Sequence, residues 1–190
     1  MGKDWISIHT NAKRYQTMLK YKVGCLIEAA LKRDVNVIAH GCNTFCTMGS
    51  GIAKEIKNTF PKMYAEDLKT EKGDRTKLGS YTWAVMNEGK LAGFNLYTQY
   101  GYNGRRMGVR DLNYNALYDS LAAMRDCLQR HTDGFMSDYK IGLPKIGAGL
   151  AGGDWKIIET MIESVLHDCD VTIYVLNEEE IPDGKREHAS

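Results

Sequence analysis

Residues 40–53, HGCNTFCTMGSGIA, join an apolar, β-branched run at 35–39 to a helical pattern, and this junction decides the fold prediction. Gly49 and Gly51 allow backbone conformations that other residues avoid, so main-chain N–H groups can approach a ligand closely. Apolar residues at four-residue intervals then predict a helix that begins at this turn. The stretch predicts an anion-binding loop at a helix N-terminus, and the alternative is a tight turn with no ligand.

A second glycine-rich loop, 147–153 (GAGLAGG), follows a strand-like run at 140–146 and precedes a helical pattern that starts at Trp155. Two strand–loop–helix units of this kind in one small domain predict a ligand with two phosphates. The loop also matches G-x-G-x-x-G, the dinucleotide fingerprint of Rossmann domains. That fold is disfavoured, because only one strand follows the loop and no acidic residue ends that strand.

The length of 190 residues, with 43% hydrophobic and 26% charged residues, indicates one soluble globular domain. The net charge is +1, which leaves a nucleic-acid partner unsupported though not excluded. No apolar run reaches about 18 residues, so we expect no membrane partner. Five cysteines and no signal-peptide pattern favour a reducing, cytoplasmic location.

The order of patterns along the chain predicts an α/β fold. Strands are predicted at 18–23, 35–39, 80–86, 91–98, 140–146 and 171–176, and helices at 51–60, 61–68, 113–129 and 155–166. This alternation predicts a three-layer α/β/α sandwich with a mixed, roughly six-stranded sheet. Residues 26–31 are interpreted as a short apolar turn and 99–111 as a long, functional or mobile loop. We expect one domain at 1–177, with an N-terminal arm of uncertain structure at 1–17 and a frayed, charged tail at 178–190.

Three separated motifs resemble the macro domain family. His-x-Cys-Asn at 40–43 with MGSGIA at 48–53 resembles the first ligand loop of that family, and KIGAGLAGGDW at 145–155 resembles the second. NLYTQ at 95–99 is similar to the strand end between them. The resemblance spans about residues 18–177 and implies the macro fold. It also implies binding of ADP-ribose or ADP-ribose 1″-phosphate in a cleft at the strand ends, with no cofactor and no metal.

The same resemblance implies a set of ligand-binding residues, with Asn43 at the distal ribose and the two glycine loops around the diphosphate. The full set is Gly24, Cys25, Leu26, Asn43, Gly49, Ser50, Gly51, Ile52, Ala53, Gln99, Ile146, Gly147, Ala148, Gly149, Leu150 and Ala151. At the adenine end the sequence departs from the family, because many members carry Gly-Asp-Leu where Cys25 is the central residue here. A thiol does not replace a carboxylate that accepts from the adenine amino group, so base selectivity is in question.

Three activities are compatible with the resemblance: a phosphatase for ADP-ribose 1″-phosphate, a reader that binds without turnover, and an ADP-ribosyl glycohydrolase acting on protein or nucleic acid. A lysine common in the glycohydrolase branch is replaced by Gln99, which favours the phosphatase. The catalytic candidates are His40 as acid or base, Asn43 as the group orienting ribose and water, and Asp154 as the group orienting water or His40. The alternatives are a buried structural histidine and an Asp154 that caps the last long helix.

Other polar residues near the loops have competing interpretations. His40, Cys42 and Cys46 contain metal-ligating groups, but no second ligand cluster completes a zinc site. We therefore expect the two cysteines to be small core residues. The arginines of the long loop are expected either to close over phosphate or to form a solvated basic surface; they are Arg105, Arg106 and Arg110.

Overall fold

The computed structural model describes residues 18–131 and 138–185, so the predicted arm at 1–17 lies outside it. In these ranges the chain forms six β-strands and five α-helices. The strands are β1 (Met18–Val23), β2 (Val37–Asn43), β3 (Tyr81–Met86), β4 (Leu91–Gln99), β5 (Lys140–Pro144) and β6 (Asp170–Val175). The helices are α1 (Leu26–Lys32), α2 (Gly51–Thr59), α3 (Pro61–Leu68), α4 (Tyr114–Arg130) and α5 (Trp155–Val165). None of the helices in the described ranges is both long and apolar enough to cross a membrane.

The strands form one mixed sheet in the order β1-β6-β5-β2-β4-β3. Only the β3–β4 pair is antiparallel among the strand pairs of the described chain. The central strands are buried on both faces, which explains why their sequences are nearly continuous apolar runs without polar alternation. The predicted six-stranded mixed sheet is therefore confirmed.

Helices cover both faces of this sheet. Helices α1, α2 and α3 pack on one face, where Ile38 of β2 meets Ile56 and Met63. Helices α4 and α5 pack on the other, where Val37 belongs to the same buried cluster as Leu121 and other helical residues. Neighbouring residues of β2 thus point to opposite layers, as the pleat of a strand requires. The three-layer α/β/α arrangement is confirmed.

Strand β2 differs from its prediction at both ends. It runs from Val37 to Asn43, so residues 40–43 belong to the strand and not to the loop. Gly41 sits inside this strand because a Cβ there would come within 2.8 Å of Thr98 Oγ1 on the neighbouring strand β4. Glycine often indicates a turn, but Gly41 instead allows two neighbouring strands to approach each other closely. The ligand loop is accordingly shorter than predicted.

Two further segments are more ordered than the sequence patterns indicate. Residues 26–31 lie in a helix, α1, and not in a turn, because Leu26, Ala29 and Ala30 bury one face of it against the sheet. The tail predicted to fray from residue 178 begins with a 3₁₀ turn at Glu178–Glu180. Lys185 then pairs with Glu163 on α5, at 2.6 Å between Nζ and Oε1.

Candidate functional site

A cavity of about 490 Å³ opens at the carboxyl ends of the parallel strands β2, β4 and β5. This is the position at which open α/β sheets bind ligands. Its walls come from the end of β2 with the first glycine loop, from the second glycine loop, and from the long loop after β4. The lining residues are Gly41, Cys42, Asn43, Thr47, Gly49, Ser50, Gly51, Ile52, Ala53, Gln99, Tyr102, Asp111, Pro144, Lys145, Ile146, Gly147, Gly149, Leu150 and Ala151.

The first wall is the N-terminus of helix α2. Ser50 is the N-cap residue, and its side chain makes no capping hydrogen bond. The chain reaches the helix through Gly51 at φ 54°, a left-handed conformation that favours glycine. Lys54 N donates the first helical bond, to Ser50 O at 3.4 Å. The N–H groups of residues 51–53 therefore come before the first hydrogen bond of the helix, at the end of a helix where anions bind.

The second wall is the loop between β5 and α5. Gly147 adopts φ 74°, and a Cβ at this position would lie 2.9 Å from Leu112 Cδ1. The loop is held in a compact shape by Gly153 N, which donates to Gly147 O at 2.9 Å, and by Gly152 N, which donates to Gly149 O at 3.2 Å. The two glycine loops predicted to cooperate thus line one cavity. Of the second-loop residues predicted to bind, Ile146, Gly147, Gly149, Leu150 and Ala151 line it, and Ala148 does not.

The third wall is the loop after β4, which brings Asp111 to the cavity. The N–H groups of Asp111 and Leu112 both donate to Ala151 O, each at 3.1 Å, which ties this loop to the second glycine loop. Gly104 N donates to Asp111 Oδ2 at 2.7 Å. Asp111 is the one carboxylate among the lining residues that the structure describes. Asp111, Tyr102 and Thr47 are not among the site residues predicted from the sequence, although the length of the loop indicates a function for the segment that carries Tyr102 and Asp111, and Thr47 lies within the first ligand stretch.

Asn43 and Gln99 are the predicted polar side chains that line the cavity. The Asn43 amide has a fixed orientation: Oδ1 accepts from Phe45 N at 2.9 Å, and Nδ2 donates to Thr47 O at 3.1 Å. Gln99 Nε2 donates to Gly101 O at 2.7 Å. Both side chains are held by their own neighbours, so they present defined polar atoms to a ligand.

His40 lies behind the cavity wall, fully buried, and does not line it. Its Nε2 lies 2.8 Å from Asn95 Oδ1, an atom that can only accept, so Nε2 carries the proton. Asn95 Nδ2 in turn donates to Met63 O at 2.8 Å. Burial lowers the pKa of His40 to about 4, with the bond to Asn95 acting in the opposite direction. The ring is therefore neutral near pH 7, and its predicted catalytic role stays a prediction that this geometry does not favour.

Asp154 and the predicted adenine-end residues also lie outside the cavity lining. Asp154 Oδ1 accepts from Lys156 N at 2.9 Å, so the carboxylate caps helix α5 as the structural alternative predicted. Cys25 is the N-cap residue of α1, and Leu26 is buried beneath it. Gly24, Cys25 and Leu26 are absent from the cavity wall, and their predicted contact with a base stays a prediction.

The remaining candidate residues have structural partners. Cys42 and Cys46 are buried, which confirms their interpretation as small core residues, and burial raises the pKa of the Cys42 thiol. Arg110 Nε donates to Leu112 O at 2.9 Å, which occupies part of its guanidinium group. In the described ranges, no three His, Cys, Asp or Glu side chains are grouped so that they would hold a metal ion.

No protein-family model matches the chain. Comparison with known sequences finds relatives that include an uncharacterised phage protein, ADP-ribose 1″-phosphate phosphatases and DNA ADP-ribosyl glycohydrolases. The chain is 35% identical over 159 residues to an uncharacterised 17.5 kDa protein of Enterobacteria phage T4, covering 82% of this chain and 95% of that protein. It is 27% identical over 164 residues to an ADP-ribose 1″-phosphate phosphatase of Saccharomyces cerevisiae, covering 76% and 92%. It is 26% identical over 170 residues to a DNA ADP-ribosyl glycohydrolase of Thermus aquaticus, covering 87% of this chain but 42% of that protein.

Comparison with solved structures gives the same fold. The macrodomain of Mycobacterium tuberculosis DarG superimposes with a TM-score of 0.64 at 19% identity, covering 83% of this chain and 97% of that one. Thermosipho africanus DarTG, solved in complex with ADP-ribose, superimposes with a TM-score of 0.66 at 17% identity, covering 89% and 44%. At these identities the likeness concerns the fold.

Proposed function

The chain belongs to the macro domain family, and from this membership we propose that it binds ADP-ribose and hydrolyses the bond between C1″ and phosphate in ADP-ribose 1″-phosphate. The observation that carries the proposal is the pair of glycine loops that line one cavity. A diphosphate bound between them would accept hydrogen bonds from the N–H groups of residues 51–53 on one side. It would contact the backbone of the second loop on the other side.

In this proposal Asn43 orients the distal ribose, since its fixed amide lies at the end of β2 on the cavity wall. Asp111 is the side chain placed to exchange a proton with water, because it is the carboxylate that lines the cavity. Water adds to C1″, the bond from C1″ to the phosphate oxygen breaks, and the products are ADP-ribose and inorganic phosphate. The relative named a phosphatase supports the release of phosphate, and Gln99 in place of the glycohydrolase-branch lysine agrees with it.

The proposal is tested by combining calorimetric titration of ADP-ribose with release of phosphate from ADP-ribose 1″-phosphate. We expect binding, turnover without added metal, and unlabelled phosphate when the reaction runs in ¹⁸O-water. AMP is the control ligand for the titration, because it lacks the second phosphate and the distal ribose. Binding of ADP-ribose without phosphate release would make the protein a reader, and absence of binding would end the proposal.

A second candidate is removal of ADP-ribose from a modified macromolecule. The relative named a DNA ADP-ribosyl glycohydrolase supports it, although this chain spans 42% of that protein. The chemistry would again take place at C1″, so the same cavity would serve. Release of ADP-ribose from modified protein or DNA, without turnover of ADP-ribose 1″-phosphate, would select this candidate.

A further inference from the structure

Strands β2 and β4 lose their common register where they reach the cavity. On β4 the paired residues are Tyr97 and then Gln99, while consecutive residues of β2 pair with them. In the described sheet Thr98 therefore has no partner residue on β2. Such a β-bulge is rare between parallel strands, and bulges are over-represented next to active sites, where they change the direction of a side chain. Thr98 is accordingly a candidate for a role at the cavity.

The hydroxyl group of Thr98 is buried without a hydrogen bond. The residue is 0% exposed, and its Oγ1 has no hydrogen-bond partner in the described ranges. An unpaired buried hydroxyl destabilises a protein, and its presence is commonly explained by a bound water molecule or by a part in catalysis. Valine has nearly the same shape and no polar group. Packing alone would therefore favour valine at this position.

This hydroxyl lies directly beneath the floor of the cavity. A Cβ at Gly41 would lie 2.8 Å from Thr98 Oγ1 and 3.4 Å from Ile146 Cγ1. Gly41 and Ile146 both line the cavity, so the hydroxyl lies behind the junction of β2 with the second glycine loop. Because Gly41 has no side chain, its main chain is all that this residue places between Thr98 Oγ1 and the cavity.

The backbone contacts of Thr98 bring it close to polar residues of the cavity. Its carbonyl oxygen accepts from Asn113 N at 2.9 Å, and the next residue, Gln99, forms a β-bridge with Leu112. These contacts hold the end of β4 against the segment that carries Asp111. Gln99 and Asp111 both line the cavity. Thr98 thus lies beneath the part of the cavity where the proposed function has Asp111 exchange a proton with water.

We propose that Thr98 is a positioning residue, whose hydroxyl donates a hydrogen bond to the water molecule that attacks C1″ of the bound substrate. This inference rests on the proposed function and adds a residue to it. The hydroxyl donates one hydrogen bond and leaves a lone pair of the water oxygen to form the bond to C1″. Asp111 accepts the proton that the water loses. The bond from C1″ to the phosphate oxygen breaks, and its electron pair leaves with the phosphate.

The first test compares Thr98→Val and Thr98→Ser with the parent protein, in phosphate release from ADP-ribose 1″-phosphate and in calorimetric titration with ADP-ribose. Valine keeps the shape of threonine and removes the hydroxyl, so we expect kcat to fall about tenfold while KM and the Kd of ADP-ribose stay within about twofold. Serine keeps the hydroxyl and should retain kcat within about twofold. Thr172→Val, the same change on β6 outside the cavity lining, is the control and should alter none of these values.

Urea unfolding separates this role from a role in packing. Since valine removes an unpaired buried hydroxyl, Thr98→Val should be at least as stable as the parent protein. A less stable Thr98→Val would show that the hydroxyl has a partner within the protein and would overturn the inference. An unchanged kcat in Thr98→Val would overturn it as well. Equal losses of kcat in the valine and serine variants would do the same, because the packing of the side chain would then be responsible.

A crystal structure with bound ADP-ribose tests the position of the water. In this product complex the C1″ hydroxyl carries the oxygen that the water supplied. We therefore expect either that hydroxyl or an ordered water molecule within hydrogen-bond distance of Thr98 Oγ1. A complex in which neither group reaches Thr98 would overturn the inference and leave the proposed function intact. Failure of the parent protein to release phosphate would refute the proposed reaction, and the inference with it.

Discussion

Asp111 lies on the cavity wall and His40 lies behind it, and this difference decides which side chain can exchange a proton with a bound substrate. A proton donor or acceptor in catalysis must reach the reacting group directly or through one water molecule. Nε2 of His40 is already committed to Asn95, and the ring is inaccessible. Asp111 is held in place by Gly104 N through one oxygen, which leaves the other for a ligand or water.

Asp111→Asn is therefore expected to lower kcat by about 10²- to 10⁴-fold while changing ADP-ribose affinity little. Asparagine keeps an oxygen that can accept from Gly104 N, so the loop should retain its shape. Phosphate release and calorimetric titration together measure the two effects. Asp126→Asn, a change of an exposed carboxylate on α4, is the control and should leave both values unchanged. A parallel loss of affinity and kcat would mean that Asp111 shapes the cavity and has no part in proton transfer.

His40 should control stability and its pH dependence. Its pKa is about 4 in the folded protein and about 6.5 when unfolded. The stability that its neutral form contributes is complete above about pH 6.5 and is lost as the pH falls towards 4, by about 3 kcal/mol. Burial raises the pKa of Asp67 on α3, which acts in the opposite direction over the acidic range.

His40→Leu should remove this pH dependence, since leucine does not titrate. It should also lower the free energy of unfolding near pH 7 by about 1–3 kcal/mol, because Asn95 Oδ1 loses its donor in a buried site. Urea unfolding of the wild-type and variant proteins from about pH 7 to about pH 5 measures how the free energy of unfolding of each changes with pH. A folded His40→Leu protein that has lost turnover but not ADP-ribose binding would restore the catalytic role predicted from the sequence.

At the scale of elements, a negative charge added at the N-terminus of helix α2 should raise the stability of the protein and lower its affinity for ADP-ribose. Its N-cap, Ser50, makes no capping hydrogen bond, so Ser50→Asp should stabilise the helix by about 0.3–1 kcal/mol. The same carboxylate would stand where the diphosphate is proposed to bind. We expect ADP-ribose affinity to fall at least about tenfold, equivalent to about 1.4 kcal/mol. Urea unfolding measures the change in the free energy of unfolding, and calorimetric titration measures the change in ADP-ribose affinity.

Asn113→Asp is the matched control for this pair of measurements. Asn113 is the N-cap residue of α4 and lies outside the cavity lining. The added charge should favour its helix by a similar mechanism and leave ADP-ribose affinity unchanged. Unaltered affinity in Ser50→Asp would place the diphosphate elsewhere.

The elements differ in how far the sequence predicts them. Both glycine loops and the long amphipathic α4 are visible because glycine spacing and a repeating apolar stripe are local properties. The prediction for the end of β2 is wrong, since His40, Gly41 and Asn43 resemble a polar turn until the strands on either side supply their partners. Helix α1 has seven residues, which is too few for a helical repeat of apolar residues to be recognised in the sequence.

For the whole molecule, the cavity depends on contacts between segments that are distant in the chain. Asp111 reaches the cavity because its loop bonds to Ala151, forty residues later in the sequence. Phe45, Arg75 and Tyr100 likewise come from three separate segments and contact one another beside the cavity. No local pattern encodes such contacts, which explains why the two walls that bear glycine loops could be predicted and the third could not.

A ligand that bridges the two glycine loops should stabilise the whole domain, because it joins segments about one hundred residues apart. ADP-ribose at about a hundred times its Kd should add about 2.7 kcal/mol to the free energy of unfolding. For a domain of this size that raises Tm by about 5–10 °C, which a thermal unfolding scan measures. AMP at the same concentration should raise Tm less, since it lacks the second phosphate and the distal ribose. At the same ADP-ribose concentration, a tenfold loss of affinity in Ser50→Asp should halve the ligand-induced shift, and a larger loss should reduce it further, while the ligand-free Tm stays the same or rises. Equal shifts from AMP and ADP-ribose would mean that the part common to both, the adenine with its ribose and one phosphate, accounts for the binding, and that the two loops do not share a diphosphate.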